Sequence, residues 1–278
     1  MSTVTISAQD INKLRQATGA GMMDCRKALT ETNGDFEAAI DWLRKQGQKV
    51  AAKRSDREAK EGVVIAKTNS NHTTGFVVCI SCETDFVSKN ADFVAFAQSI
   101  ADAAVENNVK SAEELNEVSI NGAKVADLIN DKLASIGEKI AVSKFERIEA
   151  PYVSSYIHGA NRMGVLVGLN KEAAEAGKDI AMQIAAMNPV AVDAASVPAD
   201  VIAREKDIIL DLMKQDPKMA GKPEEMVAKI AEGKLNAFFK EQTLLAQAFV
   251  KDSSKTVGDY LKSSGDVTVT EFKRVALG

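Results

Sequence analysis

Apolar positions through residue 48 recur at helical spacing: Ile11 and Leu14, then Met22, Cys25 and Leu29, then Phe36, Ile40 and Leu43. This predicts three short helices. Their ends are signalled as well. Ser7 with Asp10 has the form of a capping pair, Thr18-Gly19-Ala20-Gly21 breaks the first helix, and Asn33-Gly34-Asp35 closes the second while offering Asp35 as the next N-cap. Lys49 to Lys60 is charged, contains alanine and lacks an apolar period, so it reads as a linker. From Gly62 the pattern becomes extended. Val63 to Ala66 and Phe76 to Ile80 flank a polar turn at Asn69 to Thr74, a predicted β-hairpin. A helix striped by Phe93, Phe96, Ile100 and Ala104 follows, then one through Val125, Leu128, Ile129 and Leu133. A strand with Ile140, Val142 and Phe145 comes next.

The same order then returns. Tyr152 to His158 and Met163 to Leu169 read as a second hairpin, and Ile180, Ile184 and Met187 as a second apolar helix. Thr256-Val-Gly-Asp-Tyr-Leu261 echoes Lys124-Val-Ala-Asp-Leu-Ile129. The closing segments Ile140 to Ile148 and Val267 to Val275 agree in hydropathy at nearly every position and share Phe and Arg. Two related α+β subdomains with strands of matching register are expected. Within the second lies an insertion, about 197–239, whose two helical stretches meet at Gln215-Asp216-Pro217 and Gly221-Lys222-Pro223. It predicts an antiparallel helical hairpin with seams at Val201, Ile208 and Leu212 on one arm and Val227 and Ile230 on the other. Periodicity alone leaves open whether the hairpin projects or folds back on its own domain. The whole is an α+β chain divided as 1–55 (three helices and linker), 56–149 and 150–278.

Composition narrows the class. The chain has 278 residues, 45% hydrophobic and 27% charged, with a net charge of −4, which excludes disorder and a disulfide miniprotein. Residues through Lys60 carry 11 Lys and Arg against 8 Asp and Glu, and the remainder is acidic, so no nucleic-acid partner is advertised. Apolar runs such as Gly75 to Ile80 fall far short of the roughly 20 residues of a membrane span. The first residues have no basic stretch followed by an apolar one, so a cytoplasmic protein is expected, with Cys25, Cys79 and Cys82 reduced.

Candidate chemistry is sparse. Cys79-Ile80-Ser81-Cys82 has CxxC spacing and would make a thiol oxidoreductase if the first thiolate sat at a helix N-terminus. Here the pair ends an apolar strand, where positions three apart point to opposite faces. Cys25, His72 and His158 are too scattered for a metal site, and no nucleophile accompanies either histidine. There is no phosphate-binding glycine loop, so neither catalysis nor a bound cofactor is expected. Glu83-Thr84-Asp85-Phe86-Val87 stands out, with an aromatic and an acid at a strand-to-helix corner. Phe86 is either core or a rigid wedge for a partner, with Asp85 as a directional acceptor. The N-terminal helices taken alone would also suit an adapter protein.

Several segments, in order, resemble the elongation factor Ts family of bacteria and organelles. They are Leu14-Arg15, Thr18-Gly-Ala-Gly-Met-Met-Asp-Cys-Arg-Lys-Ala-Leu29, Asn33-Gly-Asp35 and Cys82-Glu-Thr-Asp-Phe-Val87, followed by Tyr156-Ile-His-Gly-Ala160, Gly164-Val-Leu-Val167 and Ser254-Lys-Thr-Val-Gly258. The resemblance covers nearly the whole chain. It implies a helical domain like the ubiquitin-associated (UBA) domain, a core of two subdomains, an inserted hairpin and a role as guanine nucleotide exchange factor for elongation factor Tu. It further implies that Thr84, Asp85, Phe86 and Val87 enter the partner's G domain and disturb its magnesium and phosphate sites. Arg15, Met22, Met23 and Arg26 would dock beside them, Ile136 and Gly137 would add contacts, and His158 would lie near another partner domain. Met22 equally suits the core of the helical module. A homodimer through the hairpin is a further expectation, and family members often carry an acidic helix past the closing strand.

Overall fold

The computed structural model describes residues 6–54, 56–219 and 222–278; Gly221, part of the expected hairpin turn, lies outside them. The chain opens with α1 (Ala8–Thr18), α2 (Met22–Glu31) and α3 (Phe36–Arg54). The expected caps form: Ser7 and Asp10 make a reciprocal capping box, and Asp35 accepts from the Ala38 amide at 2.9 Å. Leu14, Cys25, Ala28, Leu29, Ala39 and Leu43 are the buried centre of this bundle. The expected linker is corrected in part, because α3 runs on to Arg54. Alanine, lysine and arginine favour helix without an apolar stripe, and α3 lies against a helix of the core.

The first α+β half contains β1 (Glu61–Thr68), β2 (Thr74–Cys82), a one-turn helix α4 (Asp85–Ser88), α5 (Ala91–Glu106) and α6 (Ala112–Glu117). A small ladder of β3 (Ser119–Ile120) and β4 (Ala123–Lys124), then α7 (Val125–Ile136) and β5 (Ala141–Glu149), completes it. The second half has β6 (Tyr152–His158), β7 (Met163–Leu169), α8 (Ala174–Met187), the inserted α9 (Ala199–Gln215) and α10 (Glu224–Gln242). It then continues with the ladder β8 (Ala248–Phe249) and β9 (Asp252–Thr256), α11 (Val257–Ser263) and β10 (Val269–Ala276).

Each half builds one antiparallel three-stranded sheet on the same plan, β1-β2-β5 and β6-β7-β10, with the second hairpin strand central. The duplication extends to irregularities. Ser143 is bulged out of β5 opposite β2, and Thr270, its counterpart in the matching segment, is bulged out of β10 opposite β7. In both halves a short ladder leads directly into the helix before the closing strand, which explains the echo around Val125 and Val257.

The layers run helix, sheet, sheet, helix. One face of the first sheet (Val63, Ile65, Phe76, Val78, Ile80) packs on α5 and α7. Its other face (Val64, Ala66, Val77, Cys79) meets Val153, Leu166 and Val275 of the second sheet. Val165, Val167 and Leu169 turn away to pack on α8 and α11. Burial on both faces explains why the central strands read as continuous apolar runs. Asp179 of α8, accepting from Lys251 Nζ at 2.6 Å and Tyr260 OH at 2.9 Å, ties the second helix layer together.

The hairpin seam differs from expectation. Ile209 and Met213 are the buried residues of α9, whereas Ile208 and Leu212 are 41% and 60% exposed. The expected seam is one residue out of phase, about 100° around the helix. Val227 and Ile230 are half-buried, in line with expectation. With two buried residues on α9 and none on α10 among those described, the hairpin is a satellite of the body. Backbone bonds of Val190 to Gln242 and Leu244 to Ala191 stitch its base.

Candidate functional site: an exposed aromatic turn

Strand β2 is fully buried along its length and ends at Cys82. The next residues must leave the sheet, and α4 turns them back before Asn90 caps α5 through the Asp92 amide at 2.8 Å. Within this corner Val87 packs inward on the first core, while its neighbour Phe86 is 85% exposed. The core reading of Phe86 is thereby excluded: its ring is presented to solvent. Asp85 pairs with Lys89 at 2.7 Å, and that hydrogen bond and charge hold its carboxyl below the usual carboxylate range. Arg162, bonded to Glu61 at 2.8 Å, lies near enough for Asp85 to add to the field at its guanidinium.

Beneath the turn sits a second set of bonds. Thr84 occupies the N-cap position of α4, yet its hydroxyl makes no cap bond. It donates instead to Glu138 Oε1 at 2.6 Å, and the amides of Glu83 and Thr84 donate to Glu138 Oε2 at 3.1 and 3.0 Å. In return Glu83 Oε1 accepts from the Lys139 amide at 2.7 Å, and Glu83 Oε2 accepts from Arg57 at 3.0 Å. Ile136 ends α7 half-buried against the first core, and Gly137 caps it with φ of 80°, a left-handed conformation that suits glycine. The chain thus reverses at Gly137 and brings Glu138 under Thr84.

The other expected residues fall into two groups. Arg15 lies in the last turn of α1, and Met22, Met23 and Arg26 lie on α2, all exposed. Met22 at 55% and Met23 at 74% exposure are surface residues, while Cys25, Ala28 and Leu29 form the inward face. His158 ends β6, exposed, and its ring nitrogen Nδ1 meets Tyr156 OH at 3.0 Å. No hydrogen bond links His158 to the Phe86 turn among the described residues. Glu138 was not singled out in the sequence, since 54 residues separate Thr84 from the acid that holds it, and Glu83 stood out only as part of its segment, with no bracing role.

The thiol chemistry does not assemble. Cys79 faces the sheet-sheet core and Cys82 the sheet-helix core. Burial raises both thiols, and burial together with the charges of Glu138 and Glu61 pushes Cys82 up to about 12. Such thiols are protonated and poor nucleophiles. No group of three or more His, Cys, Asp or Glu among the described residues could hold a metal ion. No helix among them is long and apolar enough to cross a membrane.

Fold and site together define a protein whose distinctive feature is a displayed side chain on a braced corner, the makings of a protein-binding factor. A model of the family described as elongation factor TS matches residues 83–278. Elongation factor Ts of Christiangramia forsetii is 48% identical, covering 98% of this chain and 99% of the relative. That of Flavobacterium psychrophilum is 48% identical over 99% of each, and that of Chlorobium phaeobacteroides 43% identical over 98% of this chain and 99% of its own. The chain belongs to the elongation factor Ts family, the translation elongation factors of this bacterial type.

Proposed function

We propose that the protein is a guanine nucleotide exchange factor for elongation factor Tu, working in the cytoplasm, and that Phe86 is the group it drives into the partner's G domain. The observation that carries this reading is the 85% exposure of a phenyl ring on a turn whose base is fixed by two backbone amides and one hydroxyl bonded to a single carboxylate. An exposed aromatic on a rigid support loses little entropy on binding and gains its full burial there. In this reading Thr84, Asp85, Phe86 and Val87 distort the magnesium and phosphate sites of the partner. Ile136 and Gly137 contact it beside them, Arg15, Met22, Met23 and Arg26 hold a neighbouring surface, and His158 touches a further domain. The units 1–55, 56–149 and 150–278 carry these contacts separately. Pairing of two copies through the hairpin belongs to the same proposal and is supported by the exposure of Ile208 and Leu212.

No bond is made or broken. Linkage requires that a factor weakening GDP affinity by some ratio be itself bound more weakly by the GDP-loaded partner, by the same ratio. Interface energy is spent on a G-domain conformation with a poor magnesium and phosphate site, and rebinding of GTP releases the factor.

The direct test is Phe86→Ala. Removing a ring worth roughly 1.5 to 3 kcal/mol when buried in a partner should slow stimulated GDP release from elongation factor Tu by about 10- to 100-fold. The melting temperature should stay put, because the ring contributes little to its own fold. Stopped-flow release of a fluorescent GDP measures the rate, and wild-type exchange by the variant would remove the wedge from the account.

A further inference from the structure

We infer that Glu138 is the positioning residue of the exchange site: it holds the Thr84–Val87 turn in its binding conformation before any partner arrives, and this role rests on the exchange reading above. The inference comes from the bonds themselves. One carboxylate takes the backbone amides of Glu83 and Thr84 on Oε2 and the Thr84 hydroxyl on Oε1. These are the two residues that join buried strand β2 to the turn carrying Phe86. Bonds from neutral donors to an ionised acceptor are short and strong, and the 2.6 Å hydroxyl contact is of that kind.

The bracing is reciprocal, since Glu83 accepts the Lys139 amide next to Glu138 and also the guanidinium of Arg57, while Lys139 Nζ donates to the Arg57 carbonyl at 2.9 Å. Two segments more than fifty residues apart are therefore laced through carboxylate-to-amide bonds in both directions. Among the described residues the Thr84 hydroxyl has no other hydrogen bond; without Glu138 it would be free to cap α4 in the ordinary way and the turn could swing. Glu138 itself does not need to touch the partner. Its effect would pass through Phe86.

Three variants test this. Glu138→Ala should lower the stimulated exchange rate by about tenfold, as expected for loss of charge-assisted bonds that order a loop, with amide hydrogen exchange quickened at residues 83–87 and the melting curve nearly unchanged. Glu138→Gln keeps an oxygen for the amides and a group that can bond the Thr84 hydroxyl, so it should recover most of the rate. Thr84→Val, which removes only the hydroxyl, should fall between. The decisive comparison is with Phe86→Ala: adding Glu138→Ala to it should slow exchange no further, because the two act through one ring. Wild-type exchange by Glu138→Ala beside a slow Phe86→Ala would overturn the positioning role and leave the exchange reading standing. Additive losses in the double variant would also overturn it, showing that Glu138 acts apart from Phe86. Wild-type exchange by Phe86→Ala would overturn both.

Discussion

Neighbouring side chains at the Phe86 corner have opposite fates, and backbone geometry decides them. Val87 enters the core, Phe86 leaves it, and Cys82 closes the buried strand with its thiol 3.2 Å from the Thr84 carbonyl. Held near 12 by burial and by the charges of Glu138 and Glu61, the thiol stays protonated at pH values where an unfolded cysteine, near 9, ionises. The sign follows: below pH 9 this group costs the fold nothing, and as pH rises from about 9 towards 12 the unfolded chain sheds a proton that the folded one keeps, so stability falls. Cys82→Ala should therefore flatten the loss of melting temperature over that range relative to wild type. At pH 8, iodoacetamide should label Cys82 at least about 100-fold more slowly in the native protein than in denaturant, and mass spectrometry of the labelled peptide reads this directly.

Among the elements, α3 and α7 show how the helical module is joined to the core. A Cβ added at Gly47 would lie 2.9 Å from the Ala134 Cβ, so the two helices approach where α3 has no side chain, and Arg44 meets Asp131 at 3.9 Å beside the crossing. In a free helix, Gly to Ala stabilises by about 0.5 to 1 kcal/mol. At Gly47 the clash should outweigh this, so Gly47→Ala is expected to destabilise by about 1 kcal/mol. Gly233, in α10 with nothing within 4 Å of its missing Cβ, supplies the control: Gly233→Ala should stabilise by about 0.5 to 1 kcal/mol. Urea titrations of the pair, moving in opposite directions, check both. Legibility follows the same logic of contact. Strands β6 and β7 were readable to the residue because the Gly159-Ala160-Asn161 turn separates them and β7 carries a continuous apolar run, while β6 is rich in aromatic and β-branched residues. Helix α6 was not readable, since its six residues bury only Leu115 and leave no period. The hairpin seam was misplaced by one position because Ile208, Ile209, Leu210 and Leu212 offer competing stripes. At the site, the unusual composition of Thr84 to Val87 was visible in the sequence. The outward direction of Phe86 and the brace from Glu138 are tertiary, and no local pattern records them.

For the whole molecule, the central fact is that the two halves grip each other through equivalent residues. A Cβ at Gly75 in β2 would fall 2.6 Å from Val153 Cγ1 and 2.9 Å from a Leu166 methyl; one at Gly164 in β7 would fall 3.0 Å from Val64 Cγ1 and 3.2 Å from Val77 Cγ1. The ladders place Gly75 opposite Ile148 and Gly164 opposite Val275, the same position in each sheet, and Val64 with Val77 corresponds to Val153 with Leu166. The contact is self-complementary, as across a two-fold axis between identical subunits. Because the shared core of Val64, Val77, Val153 and Leu166 belongs to both sheets, neither half can unfold without exposing a face of the other. Urea unfolding of the two α+β halves should then be a single transition. Gly75→Ala should shift its midpoint by an amount equivalent to about 1 to 3 kcal/mol without changing its slope, and Gly164→Ala should cost less, its contacts being longer. Two resolved transitions for the halves, or a Gly75→Ala that unfolds like wild type, would mean that the sheets do not form the common core on which the braced Phe86 corner is mounted.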